Sequence, residues 1–187
     1  MAPLLAEASG DVGVIERDHT GTPDRVRLAR LVGLAGVLGP CESPLWVNRR
    51  ADLATAVGAA GVIAMGASLD VDTLQAHFPA LSCAVSCHTR EELVRAQISP
   101  ARFALLAPVL NPTSKPPERP PLGLDGLRAA TVGVRLPVVA LGGLDGAHVR
   151  AVLGSGAHGV AVLGGIFGAH DPAAALGAAL SALQLAR

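Results

Sequence analysis

Two short apolar runs within residues 136–167, LPVVALGGLDGAHVRAVLGSGAHGVAVLGGIF, each end in a pair of glycines. Residues 137–141 are apolar and partly β-branched, the pattern of a strand buried on both faces. Gly142-Gly143 follow, where the backbone turns sharply and a ligand approaches closely. Asp145 is placed to cap a helix running through Val149, Ala151 and Val152 to Leu153, with Gly154 and Gly156 to end it. Residues 159–163 form the second run, closed by Gly164-Gly165. Tandem strand–glycine–helix units put two sets of backbone N–H groups at one end of a parallel sheet. Helix N-termini there favour an anion, most often phosphate, and the last two strands of a (β/α)8 barrel commonly carry such a site. Gly142, Gly143, Gly164 and Gly165 are therefore the candidate phosphate-binding residues.

The same alternation runs through the rest of the chain. Strands are predicted over residues 12–16, 45–48, 62–65, 81–86 and 103–107. Between them, Thr22 is expected to cap a helix with Pro23 at its first position, ending at Gly39-Pro40. Further helices are predicted over 50–57, over 71–77 with Asp70 as cap, and over 90–96 with Thr89 and Glu92 as a capping box. A proline-rich loop over 108–122 is long enough to be functional, and helices over 124–131 and from Asp171-Pro172 to about residue 185 complete the pattern. Seven uninterrupted strand–helix units predict an α/β protein with a parallel sheet and helices packed outside. The segments GAAGVIAMG (58–66) and GAHGVAVLG (156–164) echo one another, which suits a barrel better than a doubly wound sheet. No G-x-G-x-x-G follows the first strand, against a dinucleotide-binding fold.

Composition bounds the partners. Half of the 187 residues are hydrophobic, 16% are charged and the formal net charge is zero. Nothing in this balance calls for nucleic acid or an acidic membrane as partner, and no apolar stretch reaches the ~18–20 residues of a membrane span. The acidic N-terminus is unlike a signal peptide, so a cytoplasmic location is expected for a single domain over residues 1–187. Cys41, Cys83 and Cys87 lack paired spacing and read as buried free thiols. His19, His77, His148, His158 and His170 have no metal-ligand spacing, so no metal site is expected from them.

Six segments in order resemble one family. VNRRADLATAVGAAGV (47–62) resembles the Val-Asn-Asp-Arg-Ala-Asp-Leu-Ala stretch of thiamine phosphate synthases and TenI-like proteins. AVSCHTREEL (84–93), APVLNPTSKP (107–116), PLGLDGLR (121–128), PVVALGGL and GVAVLGGIF continue the similarity. The resemblance implies a TIM (β/α)8-type barrel whose ligands are the phosphorylated thiazole and pyrimidine halves of thiamine. VGVIERDHTG (12–21) lines up with the family's second strand, so the resemblance implies an N-terminally short barrel lacking the first strand and most of the first helix. Seven strands do not close an eight-stranded barrel, which implies either that the reading frame starts upstream of Met1 or that a homo-oligomer shields the gap.

The resemblance also assigns the site. Asn48, Ser86, Ser114 and Lys115 match polar positions that hold substrate, beside the four glycines; Lys115 is the only lysine of the chain. Family synthases displace pyrophosphate from an activated pyrimidine with magnesium held by two aspartates, and the matching positions here are Arg49 and Ser68. The strand-borne Gln and Arg align with Gly13 and Ile15, and the Lys with Arg17. The TenI branch isomerises a thiazole carboxylate phosphate, and its acid/base histidine aligns with Pro108, leaving His88 as the candidate catalytic residue. The expectation is a TenI-like thiamine-pathway protein that binds a thiazole phosphate or related phosphomonoester at the C-terminal strand ends, as a thiazole tautomerase. A thiamine phosphate synthase, the one case in which magnesium would be a cofactor, and a non-catalytic phosphate-binding protein remain as alternatives.

Overall fold

The apolar runs become parallel strands because each is short, β-rich in composition and bounded by turn residues. A computed structural model describes residues 5, 11–18, 20–65, 69–111 and 119–186. These fall into two units, Met1–Val85 and Ser86–Arg187. In the first, β1 (Val14–Glu16), β2 (Leu45–Asn48), β3 (Gly61–Ala64) and the start of β4 (Ser82–Cys87) lie side by side in chain order. All pairs are parallel, with Glu16 opposite Val47, Asn48 opposite Ile63 and Ala64 opposite Val85. Every residue of β2 and β3 is buried, as the unbroken apolar runs require of strands covered on both faces. The helices α1 (Asp24–Leu38), α2 (Ala51–Ala56) and α3 (Val71–His77) connect them, and Leu31, Val47, Val62, Ile63 and Leu74 form the centre of the core.

In the second unit β5 (Ala104–Leu106), β6 (Val138–Leu141) and β7 (Gly159–Ala161) are parallel, with Leu106 opposite Ala140 and Leu141 opposite Ala161. They alternate with α4 (Arg90–Ala96), α5 (Gly123–Thr131), α6 (Val149–Gly154), α7 (Gly164–Phe167) and α8 (Pro172–Gln184). Leu93, Leu106, Val109, Leu127, Val138 and Val152 are fully buried there. Strand–helix alternation with parallel neighbours is the TIM-like α/β pattern expected. The absence of a first strand and most of a first helix concerns residues 1–10, of which the described residues before 11 include only Leu5, helical and buried.

Three local expectations change. Thr22 does not cap α1: its N–H donates to Asp18 Oδ2 (3.0 Å), and Pro23 takes the cap position with no side-chain bond. Asp18 also accepts from Thr20, and these bonds hold its carboxyl well below the usual range. Thr89 caps α4 through Glu92 N–H (3.3 Å), but the Glu92 carboxylate accepts from His88 N–H, one residue before the cap. Gly164 and Gly165 open α7 rather than closing β7, because the strand already ends at Ala161. By contrast Asp70 caps α3 as expected, accepting from Thr73 N–H at 2.8 Å. The three cysteines are buried and free.

Gly61 lies where β2, β3 and β4 are closest. A β-carbon on it would stand 2.3 Å from the Ser82 carbonyl oxygen and 2.4 Å from Trp46 Cζ3. Gly61→Ala is expected to cost about 2 kcal/mol of stability, as overpacking of a filled core does, and a urea titration reads the loss directly.

Candidate functional site

At the C-terminal end of β2 the chain places two arginines in succession with opposite surroundings. Arg50 is saturated: its guanidinium donates to Asp52 Oδ1 (2.9 Å) and Oδ2 (2.7 Å) and to both oxygens of Asp24. These bonds raise the Arg50 pKa and lower those of Asp24 and Asp52. Arg49 is exposed and its side chain has no hydrogen bond or ion pair among the described residues. Its backbone is left-handed, φ 66°, and its N–H donates to Ile63 O (3.0 Å), which carries the β2–β3 ladder one residue past the strand. That conformation costs an arginine roughly 1–2 kcal/mol relative to glycine. Asn48, just before it, is 6% exposed, and its side-chain amide has no partner among the described residues.

The Asn48 backbone is held from beneath. Arg27, on α1, donates through Nη2 to Asn48 O (3.0 Å) and to Glu16 Oε2 (2.7 Å), and through Nε to Glu16 Oε1 (3.1 Å). The two side chains are only 10% and 13% exposed, so this pair ties α1 to the ends of β1 and β2. Sequence reading missed it. One of three arginines in the first half of α1, with a glutamate ending the preceding strand, was the available signal.

The second unit contains the glycine turns. Gly142 and Gly143 have φ 106° and 65°, and β-carbons on them would lie 2.9 Å from Pro108 Cα and 2.5 Å from Asn111 O. The close approach is sealed by Val109 N–H to Leu141 O and Leu110 N–H to Gly142 O, both 2.9 Å. Gly165 then backs onto the residues that follow this turn: a β-carbon there would meet Asp145 Cβ at 2.6 Å and Leu144 O at 2.9 Å. The two glycine pairs are thus neighbours at the same end of β6 and β7. The N–H groups of Gly143, Gly164 and Gly165 have no partner among the described residues. Asp145 is turned to its own helix, accepting from Ala147 N–H (2.9 Å) and pairing with His148 Nδ1 (2.7 Å).

Ser86 and His88 flank the buried Cys87 at the end of β4. His88 is half-buried; its Nδ1–H donates to Ala107 O (2.7 Å), which orders the turn. Pro108, in the place of the TenI-branch histidine, offers no titratable group. Ser114 and Lys115 lie outside the described residues, as does Ser68.

The residues present do not fit a two-carboxylate magnesium site. An arginine occupies one expected carboxylate position, and a serine the other in the sequence. Asp24 and Asp52 are engaged by Arg50, and among the described residues no group of three His, Cys, Asp or Glu side chains could hold a metal ion. No helix among the described residues is long and apolar enough to cross a membrane.

Two measurable consequences follow from these surroundings. Arg27→Ala leaves the Glu16 carboxylate buried without its partner and is expected to cost about 3 kcal/mol, read by denaturant titration. Burial, with the Glu92 carboxylate adding to it, pushes the Cys87 thiol up to about 11. At pH 8 native Cys87 should react with iodoacetamide about a hundredfold more slowly than in urea, since only the thiolate attacks. The native rate should climb as pH rises towards 11; a native rate equal to the unfolded one would contradict the burial.

A family model described as thiamine monophosphate synthase (TMP-TENI) matches residues 4–166. The chain is 33% identical over 175 residues to a thiamine-phosphate synthase of Albidiferax ferrireducens, covering 92% of this chain and 79% of that one. It is 36% identical over 174 residues to the thiamine-phosphate synthase of Chloroflexus aurantiacus, covering 93% and 81%. The solved structure of a thiamine phosphate pyrophosphorylase from Pyrococcus furiosus superposes with a TM-score of 0.86 at 26% identity, over 99% of this chain and 89% of that one. The chain belongs to the thiamine monophosphate synthase/TenI family.

Proposed function

We propose that this chain is a thiamine-phosphate-synthase-type transferase, joining hydroxymethylpyrimidine diphosphate to thiazole phosphate with release of pyrophosphate. The observation that carries the reading is the paired glycine turns at the ends of β6 and β7, whose N–H groups form a preorganised phosphate cradle in a chain one-third identical to named synthases. The transferase is favoured over the tautomerase first expected. A tautomerase needs an acid/base, yet the family position is Pro108, which has no titratable group, and the relatives that the chain matches at 33% and 36% identity are named synthases. In the transferase reading His88 is a positioning residue that orders the turn beside Ser86.

The cradle binds the thiazole phosphate through the N–H groups of Gly143, Gly164 and Gly165, with Ser114 and Lys115 contributing from the loop after β5. Ser86, in the same unit as the cradle, orients the bound thiazole phosphate. An electron pair of the thiazole ring forms the new bond to the pyrimidine carbon, while the carbon–oxygen bond breaks and its pair leaves with the diphosphate. Catalysis then rests on positioning and on stabilising charge at the leaving group.

The test supplies both phosphorylated halves and follows thiamine phosphate and pyrophosphate, which should appear in equal amounts. Lys115→Ala should raise the KM for thiazole phosphate about tenfold, the worth of one charge-assisted contact. Binding of thiazole phosphate without any product would convert the reading to a non-catalytic phosphate-binding protein. Isomerisation of thiazole carboxylate phosphate would restore the tautomerase.

A further inference from the structure

We infer that Arg49 is the anchor for the substrate's diphosphate and takes the place of a divalent cation, so that this chain handles its leaving group without metal. The inference rests on the transferase reading and names the residue that meets the leaving group. Three observations carry it. Arg49 follows the C-terminal end of a parallel strand, where open and closed α/β folds alike place their ligands. Its guanidinium is exposed and unpaired among the described residues, while the adjacent Arg50 holds two carboxylates, so nothing internal accounts for the charge at position 49. It is held left-handed, a conformation that glycine would adopt freely, next to Asn48, whose side-chain amide has no hydrogen-bond partner among the described residues. An amide donor and a guanidinium on consecutive residues make a fork for phosphate oxygens, and arginine matches such oxygens two at a time.

A guanidinium also resolves the conflict at the donor set. The leaving diphosphate gains negative charge as the carbon–oxygen bond breaks, and a fixed cation must offset it. Magnesium does this where carboxylates hold it; an arginine here would repel the ion and do the same work from the protein side. No electron or proton is exchanged by Arg49, which only binds and neutralises.

The experiment uses inorganic pyrophosphate as probe, titrated calorimetrically into the full chain in EDTA and again in magnesium. Pyrophosphate should bind in EDTA with an affinity that magnesium does not improve. Arg49→Gly is the decisive variant, because glycine accepts the left-handed backbone and the fold should be at least as stable. It should weaken pyrophosphate binding about tenfold or more, and Arg49→Lys should recover part of the loss. Binding that requires magnesium, or an affinity unchanged in a folded Arg49→Gly protein, would overturn the inference. Turnover separates this from the transferase reading. Thiamine phosphate formation that depends on magnesium and ignores Arg49→Gly would leave the transferase standing and remove Arg49 from it. Arg49-dependent pyrophosphate binding with no thiamine phosphate formed would do the reverse.

Discussion

The turn after β6 exists in its observed form because residues 142 and 143 carry no side chains. Their positive φ values and their contact with the backbone of residues 108–111 leave no room for a β-carbon. With both glycines in place, the carbonyls of Leu141 and Gly142 accept N–H groups from Val109 and Leu110, and the loop after β5 is fastened to the end of β6. Leu144 and Asp145 then come to lie against Gly165, which sets where α7 begins. The N–H groups of the second turn are positioned by the first through packing within the chain. Preorganised donors of this kind cost no rearrangement when charge develops on a bound group.

The first unit solves a different problem, that of holding charge where apolar strands end. Arg27 is buried because it has two jobs, neutralising Glu16 and capping the carbonyl of Asn48. A buried ion pair seldom adds net stability over an apolar pair, but its geometry is unforgiving, and it fixes the level of the β2 end relative to α1. The consequence is that Asn48 and Arg49 project from a rigid base. Arg50, one residue later, is drawn the other way by Asp24 and Asp52 and caps nothing for a ligand. Adjacent residues of one type therefore carry separate roles, one structural and one left for chemistry.

Much of this was legible in the chain itself. The strand–helix alternation, the parallel sheet and the Asp70 and Asp171 caps are local matters, governed by periodicity and by side chains reaching two or three residues along the chain, whereas Asp145 caps a 3-10 turn at Gly146–His148 and not the helix that follows it. The same holds for the glycine pairs, since a tight turn with positive φ has few alternatives to glycine. The substitution of a metal-binding carboxylate position by Arg49 was likewise visible once the family resemblance was recognised. Thr22 and Glu92 show where local reading fails. Each makes a hydrogen bond, but the partner is offset by a turn or a residue from the one a capping rule selects.

What the sequence determined by itself was the class of fold, the family and the positions of the paired glycine turns, because each is written in short-range pattern. Tertiary structure alone decided which polar groups are spent and which are free. Glu16 and Arg27 are eleven residues apart and Asp24 and Arg50 twenty-six, separations over which no periodic rule operates. Only the packed chain shows that Arg50 is consumed, and that among the described residues the side chains of Arg49 and Asn48 have no hydrogen-bond partner. The physical reason is that desolvation and pairing depend on neighbours in space, and a strand end collects those neighbours from several distant segments at once.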